Sequence, residues 1–124
     1  MSLDCFDPKQ GAAEPMAKAM PGLNADVADA LAGRSAEAAA FLKALSHEGR
    51  LMILCHLAAG ERSVTELEHL LQSRQAAVSQ QLARLRLEGL VSARREGKGI
   101  FYSIQDQKVL HLVRVLQDLY GGAN

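Results

Sequence analysis

What this chain lacks narrows its function before anything it contains. Only two of its 124 residues are cysteine. Cys5 and Cys55 are far apart and form no CxxC pair, so neither a disulfide framework nor a thiolate zinc site is available. No apolar run approaches membrane-spanning length, and the first residues lack the charged start and continuous apolar core of a secretion signal. A cytoplasmic chain with no membrane partner is expected. Phosphate-cradling glycine motifs are missing, as is any Ser, His and Asp set that could share one pocket, and neighbouring carboxylates such as Glu66 and Glu68 fall on an exposed helix side. No enzyme and no cofactor is expected. Aromatic residues make up only 4% of the chain, so the core must be aliphatic, and the abundance of Ala and Leu favours helix.

The N-terminal stretch has little that could enter a core. Pro8, Gly11, Pro15, Pro21 and Gly22 punctuate residues 1–22, which are expected to form a mobile tail, leaving residues 23–124 as one domain. Asn24 or Asp26 can cap a first helix that Gly33 interrupts and Ser35 caps again, with Ala39, Phe41, Leu42 and Leu45 in the continuation. Ser46 is the expected cap of a second helix, about 47–59, ending near Gly60. After Asp106 a final helix is expected through about Tyr120, stopping at Gly121-Gly122.

The middle of the chain carries the functional signal. Ser63-Val-Thr-Glu66 has the form of a capping box, in which the Ser63 hydroxyl accepts from the Glu66 N–H and the Glu66 carboxylate accepts from the Ser63 N–H. The helix it opens would turn Val64, Leu67, Leu70 and Leu71 inward. Gln72-Ser73-Arg74 interrupts the pattern, and Ser73 is the expected cap of the next helix. From Gln75 to Glu88 the apolar stripe is Val78, Leu82 and Leu85, leaving Gln75, Ala76, Ser79, Gln80, Ala83 and Arg86 on a small, amide-rich outer side. Such a side suits a DNA major groove: small residues allow close approach, Gln pairs with adenine edges, and Ser serves base or phosphate. An ordinary solvated helix would look similar, so the hairpin that follows matters.

Gly89 is positioned to end the helix in a left-handed conformation. Residues 90–95 and 100–104 then read as strands joined by Glu96-Gly97-Lys98-Gly99. Arg94, Arg95 and Lys98 cluster near the tip, and directly after a helix pair they are expected on phosphates or in the minor groove. Charge is segregated accordingly. Residues 72–104 hold six cations against two acids, whereas residues 24–71 hold four against seven, although the whole chain is formally neutral. Gln75, Ser79 and Gln80, with Ala76 beside them, are therefore expected at base edges, and Arg74, Arg86, Arg94, Arg95 and Lys98 mainly on the backbone of a double-stranded operator.

The last helix has too many apolar sides for a simple surface element, with Val109, Leu112, Val113, Leu116 and Tyr120 on one stripe and Leu110, Val115 and Leu119 beside it. A second copy of the chain is the expected partner. The fold class is mainly α with a small β-hairpin, in the order α-α-α-α-β-β-α, forming a homodimer through its first and last helices.

The run 41–55, the segment Ser63-Val-Thr-Glu-Leu67 and the run 75–91, together with Arg94-Arg-Glu-Gly-Lys-Gly-Ile-Phe-Tyr-Ser103, resemble the ArsR/SmtB family of winged helix-turn-helix repressors over about residues 35–120. The resemblance implies a homodimeric repressor that leaves its operator when an inducer binds or modifies it. Arg74 departs from the family pattern, which often has a capping Ser there. The metal-sensing branch uses Cys-x-Cys near the first DNA-binding helix or Asp and His ligands along the last; this chain has Glu66, Glu68 and His69, and then Asp106, His111 and Asp118 without that spacing, so no metal site is expected. The sequence around Cys55 is closest to the thiol-switched branch, which answers persulfides or oxidants. That branch carries a second cysteine at the end of its last helix, where this chain has Tyr120-Gly121-Gly122-Ala123. Three readings stay open: Cys5 replaces the missing partner, Cys55 is a small buried core residue, or the repressor has no thiol or metal switch.

Overall fold

The computed structural model describes residues 21–22 and 26–121. Most of the expected tail, the candidate cap Asn24 and the candidate switch residue Cys5 lie outside the described residues. The chain divides into two compact units, residues 1–38 and 39–124.

In the first unit, α1 spans Asp26–Ala32, with every residue exposed. The interruption expected at Gly33 divides the first helix in two, and α2 follows at Ser35–Leu45, with the division between the units falling inside it. Ser35 does not cap it; its hydroxyl donates back to the Ala32 carbonyl at 3.3 Å. The Arg34 guanidinium forks instead onto the Glu37 carboxylate, at 3.0 and 2.8 Å.

In the second unit α3 (Glu48–Ala58), α4 (Val64–Leu71), α5 (Gln75–Leu87) and α6 (Gln107–Tyr120) surround one face of an antiparallel sheet. The strands are β1 (Arg62–Ser63), β2 (Val91–Glu96) and β3 (Gly99–Ile104), in the order β1-β3-β2. The hairpin is thus the major part of a three-stranded sheet. β1 was not legible, because two residues hold no periodicity; Ser63 both ends that strand, opposite Phe101, and starts α4.

The core is aliphatic as composition demanded. Ile53, Leu54 and Leu57 of α3 meet Leu67 of α4, Val78, Leu82 and Leu85 of α5, then Val91 and Val109, all nearly without solvent contact. Burying each such side chain contributes about 1.5–3 kcal/mol. Leu70, expected inward, is 42% exposed. At 3.6 residues per turn it falls about 60° beyond Leu67, on the margin of the stripe that Val64, Leu67 and Leu71 share.

Besides Ser35, two helix starts in the second unit differ from expectation. At α3 the imidazole of His47, not Ser46, accepts the first free N–H groups: its Nδ1 lies 3.0 Å from Gly49 N and 3.4 Å from Arg50 N. The Ser46 hydroxyl donates to Lys43 O at 2.9 Å. At α5 the N-cap is Arg74, without any side-chain cap bond, because Ser73 turns its hydroxyl to Leu71 O at 3.3 Å. The other ends follow the sequence. Ser63 and Glu66 complete the capping box, at 3.0 and 2.8 Å. Gly89, at φ +78°, closes α5 with Gly89 N–H to Arg86 O and Leu90 N–H to Leu85 O, the double bond of a Schellman motif. Asp106 caps α6 through Lys108 N–H at 2.9 Å.

Candidate nucleic-acid interface

The turn between α4 and α5 is made by Gln72, whose φ of 53° is left-handed and whose N–H still reaches back to α4. α5 then packs against α4. Because Val78, Leu82 and Leu85 are buried, the opposite side of α5 must face solvent, and Gln75, Ala76, Ser79, Gln80, Ala83 and Arg86 are all exposed. The expected outer face therefore exists as one surface. Its flank is fixed by Arg50, whose Nε donates to Ala44 O at 2.8 Å and whose Nη1 donates to Gln81 Oε1 at 3.3 Å.

β2 and β3 pair from Val91↔Ile104 to Glu96↔Gly99, leaving a two-residue loop, Gly97-Lys98. Gly97 has φ +61° while Lys98 stays at negative φ, the pattern of a type II′ turn, whose first central position suits glycine. Side chains alternate across the pleat, so Arg95 shares a face with Ala93 and Tyr102, and Arg94 points to the other with Phe101.

The two neighbouring arginines have different surroundings. Arg94 donates from Nε and Nη2 to both oxygens of Glu61, each at 2.7 Å, and from Nη1 to Glu96; its guanidinium also lies 5.1 Å from the Phe101 ring centre. The Arg94 hydrogen bond outweighs desolvation and holds the Glu61 carboxyl below the usual glutamate range, while the two carboxylates push Arg94 upward. Arg84 pairs with Glu88 at 2.9 Å. Arg74, Arg86, Arg95 and Lys98 have no carboxylate partner among the described residues, and all four are exposed. The local positive surplus thus resides in these four cations. Glu61 was invisible to local pattern, since its bond to Arg94 spans 33 positions.

Cys55 is half-buried on α3, not a core residue. It lines an open, mainly apolar groove of about 780 Å³ with Leu51, Met52, Val113, Leu116 and Tyr120. Burial pushes its thiol above the ordinary value, so little thiolate is present at neutral pH. Beside the groove α6 leaves Val115, Leu119 and Tyr120 at 48, 67 and 81% exposure. Among the described residues no three of His, Cys, Asp and Glu gather where they could hold a metal, and no helix is long and apolar enough to cross a membrane.

Residues 47–93 match the family described as bacterial regulatory protein, arsR family. The chain is 46% identical over 91 residues to the biofilm growth-associated repressor of Agrobacterium fabrum, covering 73% of this chain and 78% of that protein. It is 44% identical over 90 residues to the transcriptional activator HlyU of Vibrio cholerae, covering 73 and 83%. Its fold is similar to the crystal structure of the transcriptional repressor BigR from Xylella fastidiosa, with a TM-score of 0.73 and 42% identity over 77% of this chain and 97% of that one. Helix pair, wing and sequence agree, and the chain belongs to the ArsR/SmtB family of winged helix-turn-helix, DNA-binding transcription regulators, whose members form homodimers.

Proposed function

We propose that this protein is a cytoplasmic repressor that binds a palindromic operator as a homodimer, with residues 23–124 as the binding and dimerising body and residues 1–22 as an appended tail. In each half-site Gln75, Ser79 and Gln80 read base edges, Ala76 permits close approach, and Arg74, Arg86, Arg95 and Lys98 hold phosphates. The observation that carries this reading is the exposed amide face of α5 flanked by four cations that have no carboxylate partner among the described residues. Repression is favoured by the likeness to two proteins named as repressors. The test is operator selection from genomic fragments, followed by titration of the selected site and a scrambled duplex. Gln80→Ala is expected to reduce discrimination at one base position, and Arg95→Ala to weaken both duplexes and lower the salt slope by about one. Equal losses on both duplexes for Gln80→Ala would overturn the assignment.

The effector reading is that Cys55 is the switch, with Cys5 as the second thiol. The half-exposed sulfur on an open groove supports it. A peroxide would join the two sulfurs: both thiols lose a proton, the sulfurs together give up two electrons, the O–O bond breaks and water leaves. A persulfide donor would instead pass its outer sulfur to the Cys55 thiolate and depart as a thiolate. Mass spectrometry after either treatment is expected to find modified Cys55. Absence of any modification, with unchanged operator affinity in Cys55→Ser, would leave a repressor of the same fold without a thiol switch.

A further inference from the structure

We infer that Arg94 does not touch DNA but acts as the positioning residue of the wing, clamping it through Glu61 and Glu96. The inference rests on the DNA-binding reading and departs from the expectation that all wing cations meet phosphate.

Three observations carry it. Glu61 sits immediately before β1, while Arg94 is on β2, and β3 lies between those strands. To reach Glu61 the Arg94 side chain must cross β3, and it does so over Phe101, its cross-strand partner, with the guanidinium 5.1 Å from the ring centre. The pair with Glu61 is bidentate, two bonds at 2.7 Å, a geometry that fixes orientation as well as proximity. Glu96, at the end of β2, receives the remaining Nη1.

The clamp therefore ties the far half of the hairpin to the segment between α3 and α4. Without it the wing is held mainly by the strand ladder, since β1 contributes only the pairs Arg62↔Tyr102 and Ser63↔Phe101. Electrostatics point the same way. One cation with two carboxylates is a net negative cluster and would repel a phosphate, whereas the adjoining Arg95 projects from the opposite face and has no carboxylate partner among the described residues. Isolated surface ion pairs contribute little, but a forked pair within a network is the case where geometry can be held.

The test separates the two roles of neighbouring arginines. Operator affinity is measured across a salt series for wild type, Arg94→Ala, Arg95→Ala, Glu61→Gln and the double charge swap Glu61→Arg with Arg94→Glu, and amide hydrogen exchange of the hairpin is followed in the free proteins. Arg95→Ala is expected to lower the salt slope by about one, while Arg94→Ala keeps the wild-type slope and loses roughly three- to tenfold in affinity through a misplaced wing. Glu61→Gln is expected to weaken binding in the same way, and the swap to recover part of it. Hairpin amides are expected to exchange faster in Arg94→Ala and Glu61→Gln. A slope reduced by Arg94→Ala as much as by Arg95→Ala, or tighter binding by Glu61→Gln, would make Arg94 a phosphate contact and overturn the inference. Unchanged hairpin exchange would also overturn it, independently of DNA. A wild type that fails to bind any operator would instead sink the functional reading and leave the exchange result to decide the clamp.

Discussion

α5 and α6 are both amphipathic helices packed on the same core, yet their outer sides are opposites. α5 presents Gln75, Ser79 and Gln80 with the exposed arginines Arg74 and Arg86 at its two ends, whereas α6 presents Val115, Leu119 and Tyr120 beside an apolar groove. A polar side with surplus cations is complementary to a polyanion and costs nothing to leave in water until one arrives. An apolar side is complementary to another apolar surface and is disfavoured in water until covered. The proposed division of labour, α5 reading DNA and α6 joining a second copy, thus rests on side-chain chemistry, not on backbone shape.

Breaking the α6 side is expected to have the largest effect. Val115→Glu with Leu119→Glu places charge on the exposed apolar strip without touching the core, and the expected result is a monomer by sedimentation with operator affinity reduced about a hundredfold or more, because two linked half-sites become one. A variant that stays dimeric would remove α6 from the interface. Next comes the buried edge of α5: Leu82→Ala leaves a cavity beneath the reading face, with an expected loss of about 2–5 kcal/mol in denaturant unfolding. A loss below about 1 kcal/mol would mean that α5 is anchored elsewhere.

Smaller effects sharpen the contrast. Cys55 lies on the α6 side, where burial raises its pKa; its alkylation rate in the folded protein is expected to be slow at neutral pH and to climb as pH rises past the ordinary thiol range. Alkylation at neutral pH as fast as a free peptide thiol would contradict the groove environment. Gln72→Gly, at the left-handed turn before α5, is expected to change stability least, with a gain of up to about 1 kcal/mol because glycine occupies that conformation without a Cβ penalty. A clear loss would show that the Gln72 side chain contributes something its backbone does not.

Features set by neighbouring residues were legible from sequence. The Ser63-Glu66 box and the Gly89 terminator depend on bonds within five positions, the Val78-Leu82-Leu85 stripe and the exposed side of α5 on helical spacing, and all hold. What escaped depends on tertiary geometry. β1 forms only because β3 passes beside it, and Arg94 is drawn to Glu61 by sheet order, so a wing cation that sequence assigns to phosphate is already ion-paired in the fold. The caps His47 and Arg74 show a different limit: Ser46 and Ser73 were the better cap formers, but their hydroxyls bond the preceding turn, shifting each helix start by one residue.

Binding of two copies to one operator is tested by a hydroxyl-radical footprint of the wild-type protein on its selected site, with stoichiometry determined on the same duplex. Two chains protecting two inverted half-sites centred about 10–10.5 base pairs apart, or a multiple of that spacing, is the expected result. One chain on a single protected patch, or no sequence-dependent protection at all, would contradict it.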